Sequence, residues 1–176
     1  MTYLSSLVVE TTSLDGILKI QPPTIFEDFR GKYVETYNRR LYMENGVVID
    51  FIQDDISMSR KNVLRGIHGD RRTWKLISCL SGCFYLLVVN NIPESPQYKK
   101  WLAFTLSAEN HTQILVPPGY GNGHLVMTDS AIFHYKQSTE YERETQFTIA
   151  YDDPSYDFWW PSRDPITSIR DQGIHQ

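Results

Sequence analysis

Apolar positions in this chain come in short bursts. Runs that are apolar, or that alternate apolar with polar, occupy 7–9, 16–20, 33–37, 47–52, 76–80, 84–89, 101–106, 112–116, 124–127, 131–136 and 145–150. Such runs are too short to bury one stripe of a helix over several turns, and they have the length of strands. Turn-forming residues punctuate them: Ser81-Gly82, Asn90-Asn91, Pro93, Pro117-Pro118-Gly119, Thr128-Asp129-Ser130 and Asp152-Asp153-Pro154. This rhythm predicts an antiparallel sandwich or barrel. Helical signal is thin: 28–35 opens a short turn, and 107–110 reads as a loop linking two strands. No repeat, low-complexity tract or Pro/Gly-rich linker divides the chain, so residues 1–176 are read as one all-β domain.

A chain of 176 residues buries roughly two-thirds of its unfolded surface and needs no metal or disulfide to fold. The aromatic share of 13% suits strands and a site with flat walls. A net charge of −4 and a pI near 5.7 argue against a general nucleic-acid binder, which is usually basic. They leave room for a local basic pocket that holds a small anion. Cys79 and Cys83 lie in an apolar stretch and, on one strand, would stand about 13 Å apart on one face. That is too far for a disulfide, so both read as small core residues in a reducing compartment. The first thirteen residues lack the basic start and apolar run of a signal peptide, and 84–89 is far short of a membrane span. A soluble, cytoplasmic protein with no membrane partner is expected.

Four clusters carry candidate chemistry. In Asn62-Val-Leu-Arg-Gly-Ile-His-Gly-Asp70 an extended chain puts Leu64, Gly66 and His68 on one face and Arg65 and Ile67 on the other. His68 is either a hydrogen-bonded core histidine or an acid–base group. Pro117-Pro-Gly-Tyr-Gly-Asn-Gly-His124 reads as a tight, exposed turn before the next strand. In Phe133-His-Tyr-Lys136, Phe133 and Tyr135 share a face while His134 and Lys136 share the other. Tyr151-Asp-Asp-Pro154 is an ordinary turn unless a carboxylate in it orients a histidine. Arg30, Arg60, Lys61, Arg65, Arg71, Arg72 and Lys75 are either solvated surface or a set converging on phosphate. The dinucleotide fingerprint, the P-loop, a CxxC pair and the nucleophile elbow are absent from the sequence.

Eight segments stand in an order that resembles one family: FEDFRGKYVETY (26–37), QDDISMS (53–59), NVLRGIH (62–68), SPQYKKW (95–101), LSAEN (106–110), PPGYGNGH (117–124), FHYK (133–136) and YDDP (151–154). They resemble the nucleotide-diphospho-4-keto-6-deoxysugar 3,5-epimerases, over residues 14–169. The resemblance implies a cupin-type β jelly roll, forming a homodimer in which strands are exchanged between subunits. Exchange of that kind covers the open edges of the sheets. It also implies proton abstraction next to the C4 ketone of the sugar and reprotonation from the opposite face, without metal or cofactor. By the same resemblance His68 is the base, Asp153 its carboxylate partner, Tyr135 the general acid and Lys75 the cation at the enolate oxygen. Arg65 and Arg30 match ligand-contacting positions, with the diphosphate as counter-charge, and Glu35 and Gln53 match further ligand-side positions.

The chain also departs from the family pattern. Where many members carry His in the turn after Pro-Pro-Gly, this chain has Asn122, and His124 takes the place of an aromatic. Both are assigned to substrate binding. Asn can hydrogen-bond a sugar oxygen but cannot titrate. Gly69-Asp70 replaces Tyr-Gln, and Gln-x-Asn reads Gln53-Asp-Asp55. The RGIHGD and GNGH variants resemble the branch that epimerises GDP-4-keto-6-deoxyheptoses for capsule. Epimerisation at C3 is expected ahead of C5, because only some relatives of the family complete both steps. The pathway implied is surface polysaccharide, O-antigen or lipopolysaccharide synthesis. Three rivals stand beside this reading: a metal-dependent cupin, which has too few imidazoles here, a 3,4-ketoisomerase of the same substrates, and a catalytically silent sugar-nucleotide binder.

Overall fold

The computed structural model describes residues 4–173. Among these residues are thirteen strands, one short helix and two single 3-10 turns. The strands are β1 (Val8–Thr11), β2 (Leu18–Gln21), β3 (Thr24–Asp28), β4 (Gly31–Val34), β5 (Gln53–Arg60), β6 (Leu64–Gly69), β7 (Lys75–Ser81), β8 (Cys83–Asn90), β9 (Trp101–Ser107), β10 (Gln113–Val116), β11 (Tyr120–Val126), β12 (Ser130–Gln137) and β13 (Phe147–Thr148). The helix α1 is Arg39–Glu44, and the 3-10 turns are Arg143–Thr145 and Arg170–Gln172. A six-stranded sheet has the order β1-β2-β10-β7-β12-β5 and a five-stranded sheet the order β13-β6-β11-β8-β9. β3 and β4 form a separate two-stranded arm. This is the all-β, jelly-roll architecture expected from the sequence.

The strand β8 shows why one run is apolar without a break. Phe84, Leu86 and Val88 point between the two large sheets, where they meet Ile77, Ile114, Val116 and Phe133. Tyr85, Leu87 and Val89 point the other way, under Ile149, Tyr156, Phe158 and Trp160 of the C-terminal segment. A strand covered on both faces needs no polar alternation. The outer face of the six-stranded sheet is covered in turn by Tyr37, Tyr42, Val47 and Phe51 around α1.

Several local expectations need correction. Residues 28–35, expected to open a turn of helix, are the end of β3 and the strand β4. The helix lies further on, where Asn38 caps it by accepting the Leu41 N–H at 3.2 Å and Tyr42 anchors it in the core. The run 47–52 is not a strand. Its apolar residues cover the sheet from a loop instead. Cys79 and Cys83 sit on different strands, β7 and β8, and both thiols are free. Most consequential is 117–124, expected as an exposed turn. Its second half is β11, buried between β6 and β8.

Glycine makes that placement possible. A Cβ on Gly66 would come within 2.5 Å of Gly123 Cα and 2.7 Å of Asn122 O. The backbones of β6 and β11 therefore approach more closely than any side chain permits, and Gly66 has φ of +119°. In the same place the register between β6 and β11 shifts, from Asn122↔His68 to His124↔Arg65. This bulge breaks strict alternation, so Arg65 and His68 both reach one pocket despite their odd spacing.

Candidate active site

One cavity of about 300 Å³ opens beside the bulge. β6 supplies Arg65 and His68 to it, β7 supplies Lys75, β11 supplies Asn122 and His124, and β12 supplies Phe133 and Tyr135. The C-terminal segment closes it with Ser168, Arg170 and Asp171.

The carboxylate on His68 is Asp171. Its Oδ1 lies 2.9 Å from His68 Nε2, and the same oxygen accepts the Gly66 N–H at 2.9 Å. The other oxygen accepts the Ser168 hydroxyl at 2.6 Å and the Ser168 N–H at 3.0 Å. Burial alone would raise this carboxyl. The hydrogen bonds from His68, Ser168 and Gly66 outweigh it and bring Asp171 down to about 2. Asp153, expected in this role, is elsewhere. It lies in a separate groove formed by 151–163 and caps its own turn, accepting the Ser155 N–H at 2.8 Å while the Tyr156 N–H bonds its carbonyl. The Asp-Pro sequence there is an ordinary turn.

Lys75 is buried, and among the described residues its ammonium makes no ion pair or side-chain hydrogen bond. Desolvation pushes its pKa down, opposed by the charge of Asp70. An ammonium in that position is a ready partner for a developing oxyanion. Asp70 also organises the wall: it accepts the N–H groups of Arg72 and Thr73 and holds Gln146 at 2.7 Å. Tyr135 is pushed up to about 12 by burial, Asp55 and Tyr141, so it carries its proton at any physiological pH.

His124 differs in kind from His68. Its ring stacks on Phe133 with centroids 4.2 Å apart and 12° between planes. Complete burial and the nearby Arg65 hold it down to about 3, so it stays neutral. Its Nε2 and the Oδ1 of Asn122 are buried with no hydrogen-bond partner among the described residues.

Three of the expected ligand residues are not in the wall of this cavity. Gln53 sits one step behind it, accepting the N–H of Tyr141, a wall residue, at 2.9 Å. Arg30 lies at the tip of the β3–β4 arm, paired with Asp28 at 2.7 Å. Glu35 follows that arm and accepts from Asn38 Nδ2 at 3.2 Å. Among the described residues no group of three or more His, Cys, Asp or Glu is placed to hold a metal ion. No helix among them is long and apolar enough to cross a membrane.

A histidine–carboxylate pair, a protonated tyrosine and an unpaired lysine in one pocket of a cupin-type jelly roll are a set able to carry acid–base chemistry. The model of the dTDP-4-dehydrorhamnose 3,5-epimerase family matches residues 11–176. The dTDP-4-dehydrorhamnose 3,5-epimerase of Methanothermobacter thermautotrophicus is 36% identical over 152 residues, covering 85% of this chain and 82% of that protein. Among solved structures, the dTDP-4-dehydrorhamnose 3,5-epimerase of Bacillus anthracis, determined with TDP and PPi bound, superposes with a TM-score of 0.90 at 30% identity. The match covers 95% of this chain and 97% of that one. The dTDP-6-deoxy-D-glucose-3,5-epimerase of Legionella pneumophila, in complex with dTDP-4-keto-L-rhamnose, gives 0.89 at 32% identity, over 95% and 90% of the two chains. The chain belongs to the dTDP-4-dehydrorhamnose 3,5-epimerase family, and it is an isomerase of the nucleotide-sugar epimerase type.

Proposed function

We propose that this pocket inverts C3 of a nucleotide-diphosphate 4-keto-6-deoxysugar. The observation that carries the reading is the His68–Asp171 pair sharing one cavity with Tyr135 and Lys75. The C4 carbonyl acidifies the adjacent C–H. His68 takes that proton, Asp171 stabilises the imidazolium, and the electron pair moves onto the carbonyl oxygen, where Lys75 meets it. Tyr135 then delivers its proton to the opposite face of the enolate. A phenolate whose conjugate acid sits near 12 recovers a proton from water at once, and His68 releases its own. Arg65 supplies charge for the diphosphate. Asn122 and His124 offer hydrogen bonds to the sugar. His124 stays neutral to about pH 3 and Asn122 cannot titrate, so His68 is the working imidazole of this pocket.

A homodimer fits the same reading. The β3–β4 arm leaves Phe29 97% exposed, with Phe26 and Tyr33 also exposed beside Arg30. Exchange of this arm between two copies would cover these rings and carry Arg30 and Glu35 toward a neighbouring pocket. Light scattering should give twice the chain mass, and Phe29→Asp should give the monomer. The product is assigned to surface polysaccharide, O-antigen or lipopolysaccharide synthesis in the cytoplasm, where nucleotide sugars are made.

Proton NMR in D₂O with dTDP-, CDP- and GDP-4-keto-6-deoxysugars tests the reaction. Deuterium entering at C3 alone with inversion is the expected result. Deuterium at C3 and C5 would make it a double epimerase, a carbonyl moving to C3 would make it a ketoisomerase, and no exchange with any of them would contradict the reading.

A further inference from the structure

The base has two ring nitrogens, and the protein sets both. We propose that Thr148 is a positioning residue for His68: its hydroxyl, oriented by Arg170, holds the lone pair of His68 Nδ1 in the resting enzyme. The inference rests on the reading of His68 as the base.

The assignment follows from counting donors. Asp171 is ionised and accepts only, so the nitrogen facing it at 2.9 Å, Nε2, carries the hydrogen. A neutral imidazole then has its lone pair on Nδ1. That atom lies 3.2 Å from Thr148 Oγ1. Thr148 Oγ1 in turn accepts from Arg170 Nε at 3.3 Å, which leaves its own hydrogen free to point at Nδ1. The placement is built into the fold. β13 consists of Phe147 and Thr148 alone, and its register puts Thr148 directly across from His68 on β6. Ser168, Arg170 and Asp171 come from one C-terminal segment, so that segment fixes Nε2 directly and Nδ1 through Thr148.

The arrangement has a consequence for turnover. The substrate C–H must take the place that the hydroxyl holds at Nδ1. In the free enzyme the hydroxyl stabilises the neutral ring, and in the complex it has been displaced. Removing it should therefore alter the free enzyme more than the complex. The charged and titratable groups that line the cavity with His68 are Asp171 and Arg170 on the C-terminal turn, Lys75 on β7, His124 on β11, Tyr135 on β12, Tyr141 after β12 and Arg65 on β6 itself.

The test compares Thr148→Val and Thr148→Ser, using the pH profiles of kcat/KM, which reports the free enzyme, and of kcat, which reports the complex. Loss of one hydrogen bond to the neutral ring should move the acid limb of kcat/KM upward by roughly half to one pH unit in Thr148→Val. The acid limb of kcat should stay in place, and Thr148→Ser should keep the wild-type limb of kcat/KM. An unmoved kcat/KM limb overturns the proposal. A second measurement needs no variant: long-range ¹H–¹⁵N NMR of the wild-type protein should show His68 protonated at Nε2 alone. Protonation at Nδ1 overturns the proposal whether or not the variants fold. His68→Asn separates the two levels of the argument. If it still exchanges the C3 hydrogen, the base assignment itself fails. If it does not, while Thr148→Val keeps the wild-type profile, only the role of Thr148 fails.

Discussion

Asp171 and His68 lie 103 residues apart in the chain and 2.9 Å apart in the fold. The carboxylate paired with His68 comes from the 3-10 turn Arg170–Gln172, and every other polar group it touches is a donor. Its stability contribution has a definite sign. A carboxyl held down to about 2 in the folded chain, against an unfolded value near 3.9, stabilises the fold above pH ~4. That stability is lost as pH falls toward 2. Its size is on the order of 2 kcal/mol. Urea unfolding between pH 5 and 2 should show the loss in the wild type and a flatter curve in Asp171→Asn.

Lys75→Met keeps the length and apolar stem of the side chain and removes its charge. If the ammonium meets the enolate oxygen, kcat should fall by about 10²–10³ with little change in KM, because the interaction is made in the transition state. Steady-state kinetics check this directly, and a change confined to KM would place Lys75 in binding alone.

Tyr135→Phe should separate the two half-reactions. His68 still removes the C3 proton, so deuterium from solvent should enter the substrate and return to the same face. Inverted product should drop by about 10²-fold or more. NMR in D₂O reads both signals in one tube.

Gly66→Ala tests the close approach of β6 and β11. The new methyl would meet Gly123 Cα at 2.5 Å on a backbone whose φ of +119° disfavours any side chain. A loss of about 3 kcal/mol or more, read as a lower denaturant midpoint, is expected.

The sequence made the strands legible because most of them are short and bounded by turn formers. It singled out His68, Tyr135 and Lys75 because each stands in a motif local enough to read, and the fold brings the three to one cavity. Asp171 was not legible in that way. Its partner is on a strand near the middle of the chain, and the only local signal is the Ser168-x-x-Asp171 spacing, which occurs at many helix starts. The YDDP turn was the more conspicuous acidic motif, but its Asp153 lies in a separate groove and accepts the Ser155 N–H of its own turn. Thr148 was hidden for a similar reason, since a two-residue strand has no periodicity to read. The buried position of 120–126 was obscured by its two glycines, Gly121 and Gly123, which signal a turn in sequence and here permit two backbones to touch. Arg30 and Glu35 stand outside the pocket of a single chain, at the tip of the β3–β4 arm and just after it.

The most direct test sets the two candidate carboxylates side by side. Asp171→Asn and Asp153→Asn would be compared for the rate at which the C3 hydrogen of the 4-keto-6-deoxysugar nucleotide exchanges with D₂O. Asp171→Asn should slow exchange by on the order of 10³–10⁴, as removal of the carboxylate from a histidine base does elsewhere, while Asp153→Asn stays within about twofold of wild type. Full exchange in Asp171→Asn together with its loss in Asp153→Asn would contradict the account.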